Sequence, residues 1–173
     1  MQDMLIVIDM QNDFIDGVLG SAEAKAIMPK AVEKIKGFSG QVFFTQDTHS
    51  DDYLHSQEGQ NLPIPHCIEG STGWQICAAL QPFCQHVFRK PTFGCSELAL
   101  HLQALNQQNP IRRLTLIGLC TDICVISNAM LFKAFLPESK IIVDAACCAG
   151  VTPQSHQTAL QAMKMCQIQI ENE

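Results

Sequence analysis

Six short apolar runs, separated by stretches of helical periodicity, constrain this chain more than any other feature. The runs are Met4–Asp9, Gln41–Gln46, His86–Arg89, Arg113–Ile117, Lys140–Asp144 and Gln167–Ile170. Most are rich in Val, Ile, Leu and Phe, the composition of strands buried on both faces of a parallel sheet. Helical patterns fall between them at about Ala24–Gly37, Gly73–Leu80, Ser96–Gln107, Cys124–Phe135 and Pro153–Met165. Leu98, Leu102 and Leu105 keep helical spacing in the third of these. Pro153 suits the first turn of the last helix, with Thr152 as its cap, and Gly37 and Gly40 read as a stop and a turn. Alternating strands and helices predict a three-layer α/β/α fold: a six-stranded, mostly parallel sheet covered by helices on both faces. A length of 173 residues fits one domain, residues 1–173.

Composition narrows the partners. Apolar residues make up 47% of the chain and charged residues 16%, which excludes a disordered polymer. The net charge of −6, with no basic cluster beyond Arg112 and Arg113, argues against nucleic acid and against an anionic membrane surface. The opening MQDMLIVIDMQNDF lacks a basic flank and reads as a strand rather than a secretory signal. No run approaches the roughly 20 apolar residues of a membrane span, so the cytoplasm is the expected compartment. Nine cysteines, an odd count with no C-x-x-C pair, point to reduced thiols. Cys77, Cys84, Cys95 and Cys166, with Cys147 and Cys148, are expected to be buried as small apolar residues.

Three reactive groups fall at the ends of strands. Asp9 ends the first run, Lys90 follows the third, and Cys124 lies where the fourth gives way to a helix. In open α/β sheets, ligands bind beyond the carboxyl ends of the strands where strand order reverses. With the order 3-2-1-4-5-6, that point lies between strands one and four. Asp9 and Cys124 then face each other with Lys90 nearby: a base, a nucleophile and a cation. A helix N-terminus and a lysine lower a thiol pKa from about 8.5 by a unit or more. Asp9 is placed to take the thiol proton and pass it to a leaving amine. Backbone N–H groups of the turn Cys120–Cys124 are placed to hold an oxyanion, a contribution of about 3–4 kcal/mol per donor. Taken singly, the three residues are equally a helix cap, a solvated lysine and a packed thiol. Their shared position at strand ends favours chemistry.

The segment from Asp47 to Thr72 has no clear periodicity, and unstructured stretches of that length in compact domains are usually functional. Asp47-x-His49 opens it and His66 lies near its end. One carboxylate and two imidazoles suit a divalent zinc, iron or manganese ion. On its own an Asp-x-His pair is equally a solvated polar loop.

The motifs IDMQNDF (Ile8–Phe14), TQDTH (Thr45–His49), PHCIEGSTGW (Pro65–Trp74), RKPTFG (Arg89–Gly94) and GLCTDICV (Gly118–Val125) follow one another over nearly the whole chain. In that order the chain resembles the isochorismatase-like cysteine hydrolases and, within them, the nicotinamidases. The resemblance implies an Asp9–Lys90–Cys124 catalytic triad. It implies a non-proline cis peptide between Leu119 and Cys120 that turns the Cys120 N–H, with that of Cys124, into an oxyanion hole. It also implies a metal on Asp47, His49 and His66. Glu58 and His55 both fall at the spacing of a fourth ligand; Glu58 is favoured, with His55 on the rim. The implied metal binds a pyridine nitrogen and orients the substrate. Relatives acting on isochorismate or carbamoyl compounds lack this set, so an aromatic amide is expected.

Phe14 is expected to wall the pocket. Some nicotinamidases place a tryptophan shortly before the last histidine; here that region reads NLPIPH. Phe93 is the expected substitute, and Trp74 is expected to pack under the loop. The implied activity converts nicotinamide and water to nicotinic acid and ammonia, as in NAD salvage, by a homo-oligomer. Three competing readings remain at this level. The first is a hydrolase of another small amide or of an isochorismate-like substrate. The second is a non-catalytic ligand-binding protein. The third is a thiol redox sensor using Cys124 with Cys120, or Cys147 with Cys148.

Overall fold

The computed structural model describes Met1–Glu173. Six strands form one sheet: β1 (Gln2–Ile8), β2 (Gln41–Asp47), β3 (Val87–Lys90), β4 (Ile111–Leu119), β5 (Lys140–Ala149) and β6 (Gln169–Glu171). Their order is β3-β2-β1-β4-β5-β6 and every pairing is parallel, as the alternating pattern predicts. The helices are α1 (Asn12–Ile15), α2 (Ala22–Lys36), α3 (Gln57–Asn61), α4 (Ser96–Gln108), α5 (Ile126–Phe135) and α6 (Pro153–Met165).

The run Met4–Ile8 is completely buried because successive side chains enter different cores. Met4, Ile6 and Ile8 join Leu98 and Leu102 of α4, Phe132 of α5 and Leu160 of α6. Leu5 and Val7 join Ile27, Ala31 and Ile35 of α2 and Phe14 of α1. The sheet is therefore the middle layer of three. Each fully buried Leu or Ile side chain contributes about 1.5–3 kcal/mol relative to its exposed state. Ser21 caps α2 by accepting the Ala24 N–H at 3.0 Å. Thr152 and Ser155 form a reciprocal cap on α6, with Pro153 in its first turn.

Two expectations are corrected. Gly73–Leu80 is not a helix but a string of turns. Its backbone is taken up by the start of the chain: Asn12 N–H donates to Gln75 O at 3.0 Å, Asp13 N–H to Gly73 O at 2.9 Å, and Cys77 N–H to Met10 O at 3.0 Å. Cys166 is exposed at the end of α6, and Cys77 and Cys84 are only half-buried, whereas Cys95, Cys147 and Cys148 lie in the core as expected. No helix is long and apolar enough to cross a membrane.

Candidate active site

Asp9 is the first residue beyond β1, Lys90 is the last of β3, and Cys124 lies in a wide π-helical turn, Thr121–Val125, joining β4 to α5. The strand order puts the three at one mouth. Lys90 Nζ lies 2.7 Å from Asp9 Oδ2 and 3.4 Å from Cys124 Sγ. Asp9 holds a left-handed backbone, φ 48°, which an aspartate tolerates better than most residues. Gly118 on the neighbouring strand has φ +122°, and a Cβ there would run into the Ile8 carbonyl. The peptide between Leu119 and Cys120 is cis.

The electrostatics correct one expectation. Lys90 pulls the Cys124 thiol down, as expected, but does not prevail. The thiol is pushed well above its usual range by burial and then by the Asp9 carboxylate, which together outweigh Lys90. Burial likewise raises Asp9, against the pull of Lys90. Lys90 is itself buried, which disfavours its charge, but Asp9, Cys124 and Asp47 more than compensate and its pKa rises. Position 124 is therefore held as a thiol, with the Asp9 carboxyl group beside it. Asp9 Oδ2 is paired with the Lys90 ammonium, and Oδ1 accepts from Thr45.

Asp47, the last residue of β2, meets His49 and His66 so that one ligand atom from each lies within 4.8 Å of the others. His49 Nε2 is 2.9 Å and His66 Nε2 3.6 Å from Asp47 Oδ2. Glu58 Oε1 is 3.7 Å from both imidazoles. His55 points away: its side chain is 82% exposed and pairs with Asp52. His66 Nδ1 is 2.8 Å from Ile64 O, an orienting contact that presents Nε2 to the cluster. The hydrogen bonds of His49 and His66 overcome burial and hold Asp47 far below the usual carboxylate range. The two imidazoles and the Asp47 carboxylate fit a divalent cation of the zinc, iron or manganese kind, with Glu58 at the edge of the group.

A cavity of about 800 Å³ joins the two clusters; Asp47, Glu58, His66, Cys120 and Cys124 all line it. Phe14 and Phe93 are both among its walls. The Phe14 ring stands edge-on to His66 at 5.5 Å. Leu62, from the stretch without a tryptophan, lines it too. Trp74 lies beneath the loop as expected: its Nε1–H donates to Thr48 Oγ1 at 2.9 Å, and Arg89 stacks 4.7 Å from its ring. The Cys120 N–H donates to no protein acceptor.

Sequence reasoning missed the supports. Thr45 Oγ1 donates to Asp9 Oδ1 at 2.6 Å and accepts the Asp9 N–H at 3.2 Å. Gln11 clasps the backbone of Asp47, accepting its N–H at 2.7 Å and donating to its carbonyl at 2.8 Å. The Tyr53 ring stands against His49 at 4.8 Å and His66 at 5.0 Å. Thr45 and Gln11 fall inside the motifs TQDTH and IDMQNDF; for Thr45, a polar residue inside a buried strand was the available signal, whereas Gln11 lies beyond the end of β1. Thr45→Val, nearly isosteric, leaves one buried carboxylate oxygen and one N–H without partners. The expected loss is about 3 kcal/mol of stability, read by denaturant unfolding; an unchanged midpoint would refute the role.

The fold and the family model define the class as an isochorismatase-like hydrolase, a family with nicotinamidases among its members. The chain belongs to the Isochorismatase domain family, whose model matches residues 3–173. It is similar to the nicotinamidase/pyrazinamidase of Mycobacterium tuberculosis, 24% identical over 181 residues that span 96% of each chain. The crystal structure of nicotinamidase PncA from Bacillus subtilis is 27% identical, with a TM-score of 0.81 over 99% of this chain and 100% of that one. The pyrazinamidase of Pyrococcus horikoshii in complex with zinc shares the fold, with a TM-score of 0.84 at 24% identity over the full length of both chains.

Proposed function

We propose that this protein is a metal-containing cysteine amidohydrolase that converts nicotinamide and water to nicotinic acid and ammonia. The observation that carries this is one cavity lined by Cys124, whose Sγ is 3.4 Å from Lys90, by Asp47 and His66 of the Asp47–His49–His66 group, by Glu58, and by the aromatic rings of Phe14 and Phe93. Asp9 takes the Cys124 proton as Sγ attacks the carboxamide carbon, and Lys90 stabilises the thiolate as it forms. The N–H groups of Cys120 and Cys124 face the developing oxyanion. Asp9 returns the proton to the amine, which leaves as ammonia. Water, giving a proton to Asp9, then hydrolyses the thioester, and the proton returns to Sγ. Asp47, His49, Glu58 and His66 would hold one zinc, iron or manganese ion, which supplies a Lewis-acid anchor for a pyridine nitrogen. Phe14 and Phe93 flank the ring.

The same reading makes the small amide the partner, and it assigns the protein to NAD salvage in the cytoplasm as a homo-oligomer. A second reading is favoured by the size of the cavity and by Leu62 in place of an aromatic: a bulkier aromatic amide as the physiological substrate. The test is ammonia release from nicotinamide by purified metal-loaded protein. Turnover on the order of 10 per second is expected. No ammonia from the zinc, iron or manganese form would reject nicotinamide and turn the search to other aromatic amides.

A further inference from the structure

Asn128 lies one helical turn beyond Cys124 in α5 and is fully buried. A buried side-chain amide is expected to fill its hydrogen bonds, and Asn128 fills three. Its Nδ2 donates to the carbonyls of Cys124 at 2.8 Å and Phe93 at 3.0 Å, and its Oδ1 accepts the Cys95 N–H at 2.9 Å. The partners Phe93 and Cys95 bracket the turn Phe93–Cys95, between the end of β3 and the start of α4. No side chain at Cys95 caps α4; the Asn128 oxygen comes from another helix to engage the N–H there. Gly94, between the two, lies over α5, where an added Cβ would stand 3.4 Å from Leu131. The Phe93 side of the turn is not held by burial of its ring, since Phe93 is 43% exposed.

We infer that Asn128 is a positioning residue: it latches the Phe93 wall of the cavity to the start of α5 and the turn before it that carries Cys124, and so sets the gap in which a substrate ring is held. The substrate part of this inference rests on the amidohydrolase reading above. The hydrogen bonds of Asn128 go to the backbone of Cys124, Phe93 and Cys95 and not to Sγ or the side chains of Asp9 and Lys90, so its loss weakens ring binding more than it slows chemistry. Asn128→Asp is nearly isosteric. It keeps an acceptor for the Cys95 N–H but turns a carboxylate oxygen on the carbonyls of Phe93 and Cys124. Asn128→Ala removes all three bonds.

Two readouts test the latch on the metal-loaded full chain. Hydrogen exchange of the peptide covering residues 91–96 should speed up by about tenfold in both variants while β1 and β4 stay protected. The KM for nicotinamide should rise about tenfold with kcat within about twofold of wild type. In a Phe93→Ala background, Asn128→Asp should change KM by less than about twofold, because the wall it positions is gone. Unchanged exchange at 91–96, a fall in kcat at constant KM, or KM effects that multiply in the double variant would each overturn the inference. Wild-type protein without nicotinamide turnover would reject the substrate reading, and the exchange experiment alone would then decide the latch. Should Asn128→Ala fail to fold, Asn128→Asp carries both measurements.

Discussion

Cys124→Ala is expected to abolish ammonia release from nicotinamide, with kcat reduced by about 10⁵-fold, while the fold survives. The site offers no substitute nucleophile. Cys120 is the other thiol lining the cavity, and burial pushes its pKa up to about 12. Its proposed contribution is a backbone N–H. Cys120→Ala should therefore retain activity within about threefold of wild type, the size of a minor packing change. Loss of the Cys124 thiol also removes an acidic group from a crowded, buried site. The 2.7 Å pairing of Asp9 with Lys90 does not involve the thiol, so thermal unfolding should shift by only a few degrees, about 1 kcal/mol. Ammonia assays and melting curves on the two variants check both halves. Residual turnover near wild type in Cys124→Ala would remove the thiol from the mechanism; loss of activity in Cys120→Ala alone would move the nucleophile to that position.

Metal removal is the second large effect. Chelation should lower kcat/KM for nicotinamide by at least about 100-fold, with recovery on adding back zinc, iron or manganese. His66→Ala should lose bound metal, measured by elemental analysis, and match the chelated enzyme. His55→Ala should change neither, because that side chain is 82% exposed and faces Asp52. Glu58→Gln separates a fourth ligand from a bystander: weaker metal retention is expected, since Glu58 Oε1 stands 3.7 Å from each imidazole. The metal-free protein should remain folded, because Asp47 stays bound to His49 and to Lys90, at 2.9 Å and 3.2 Å. Full activity in metal-free protein would detach the cluster from the reaction.

The strands were legible because each is a compact apolar run bounded by polar residues. Even so, β5 runs to Ala149, beyond the expected Asp144. The small residues Ala145–Cys148 hide the continuation, and the register with β4 shifts between Leu116 and Gly118. The false helix at Gly73–Leu80 shows tertiary contacts overriding local pattern. Its N–H and C=O groups go to Met10, Asn12 and Asp13, residues far away in the chain. The helices Asn12–Ile15 and Gln57–Asn61 are too short to carry a periodic signal. The chemical groups at the site could be listed from the sequence, since thiol, carboxylates, lysine and imidazoles are scarce types at strand ends and in one long loop. Their protonation could not. Whether Cys124 rests as thiol or thiolate depends on how deeply it is buried and how close Asp9 comes, and neither is written in spacing. Thr45, Gln11 and Asn128 escaped notice for a related reason: a polar residue in an apolar element declares that it has partners, not which ones.

The central place of β1 in the sheet has a consequence for biosynthesis. Of the six strands this one is synthesised first, yet its two neighbours arrive at very different times. β2 pairs Met4 with Gln41, whereas β4 pairs Gln2 with Ile111. Until the fourth strand is made, one edge of the most apolar segment in the chain has no partner, the exposure that invites intermolecular pairing. Asp9 stays separated from Cys124 over the same interval. No N-terminal fragment ending before β4 can assemble the thiol–carboxylate pair, so catalytic competence in this architecture serves as a reporter of completed folding.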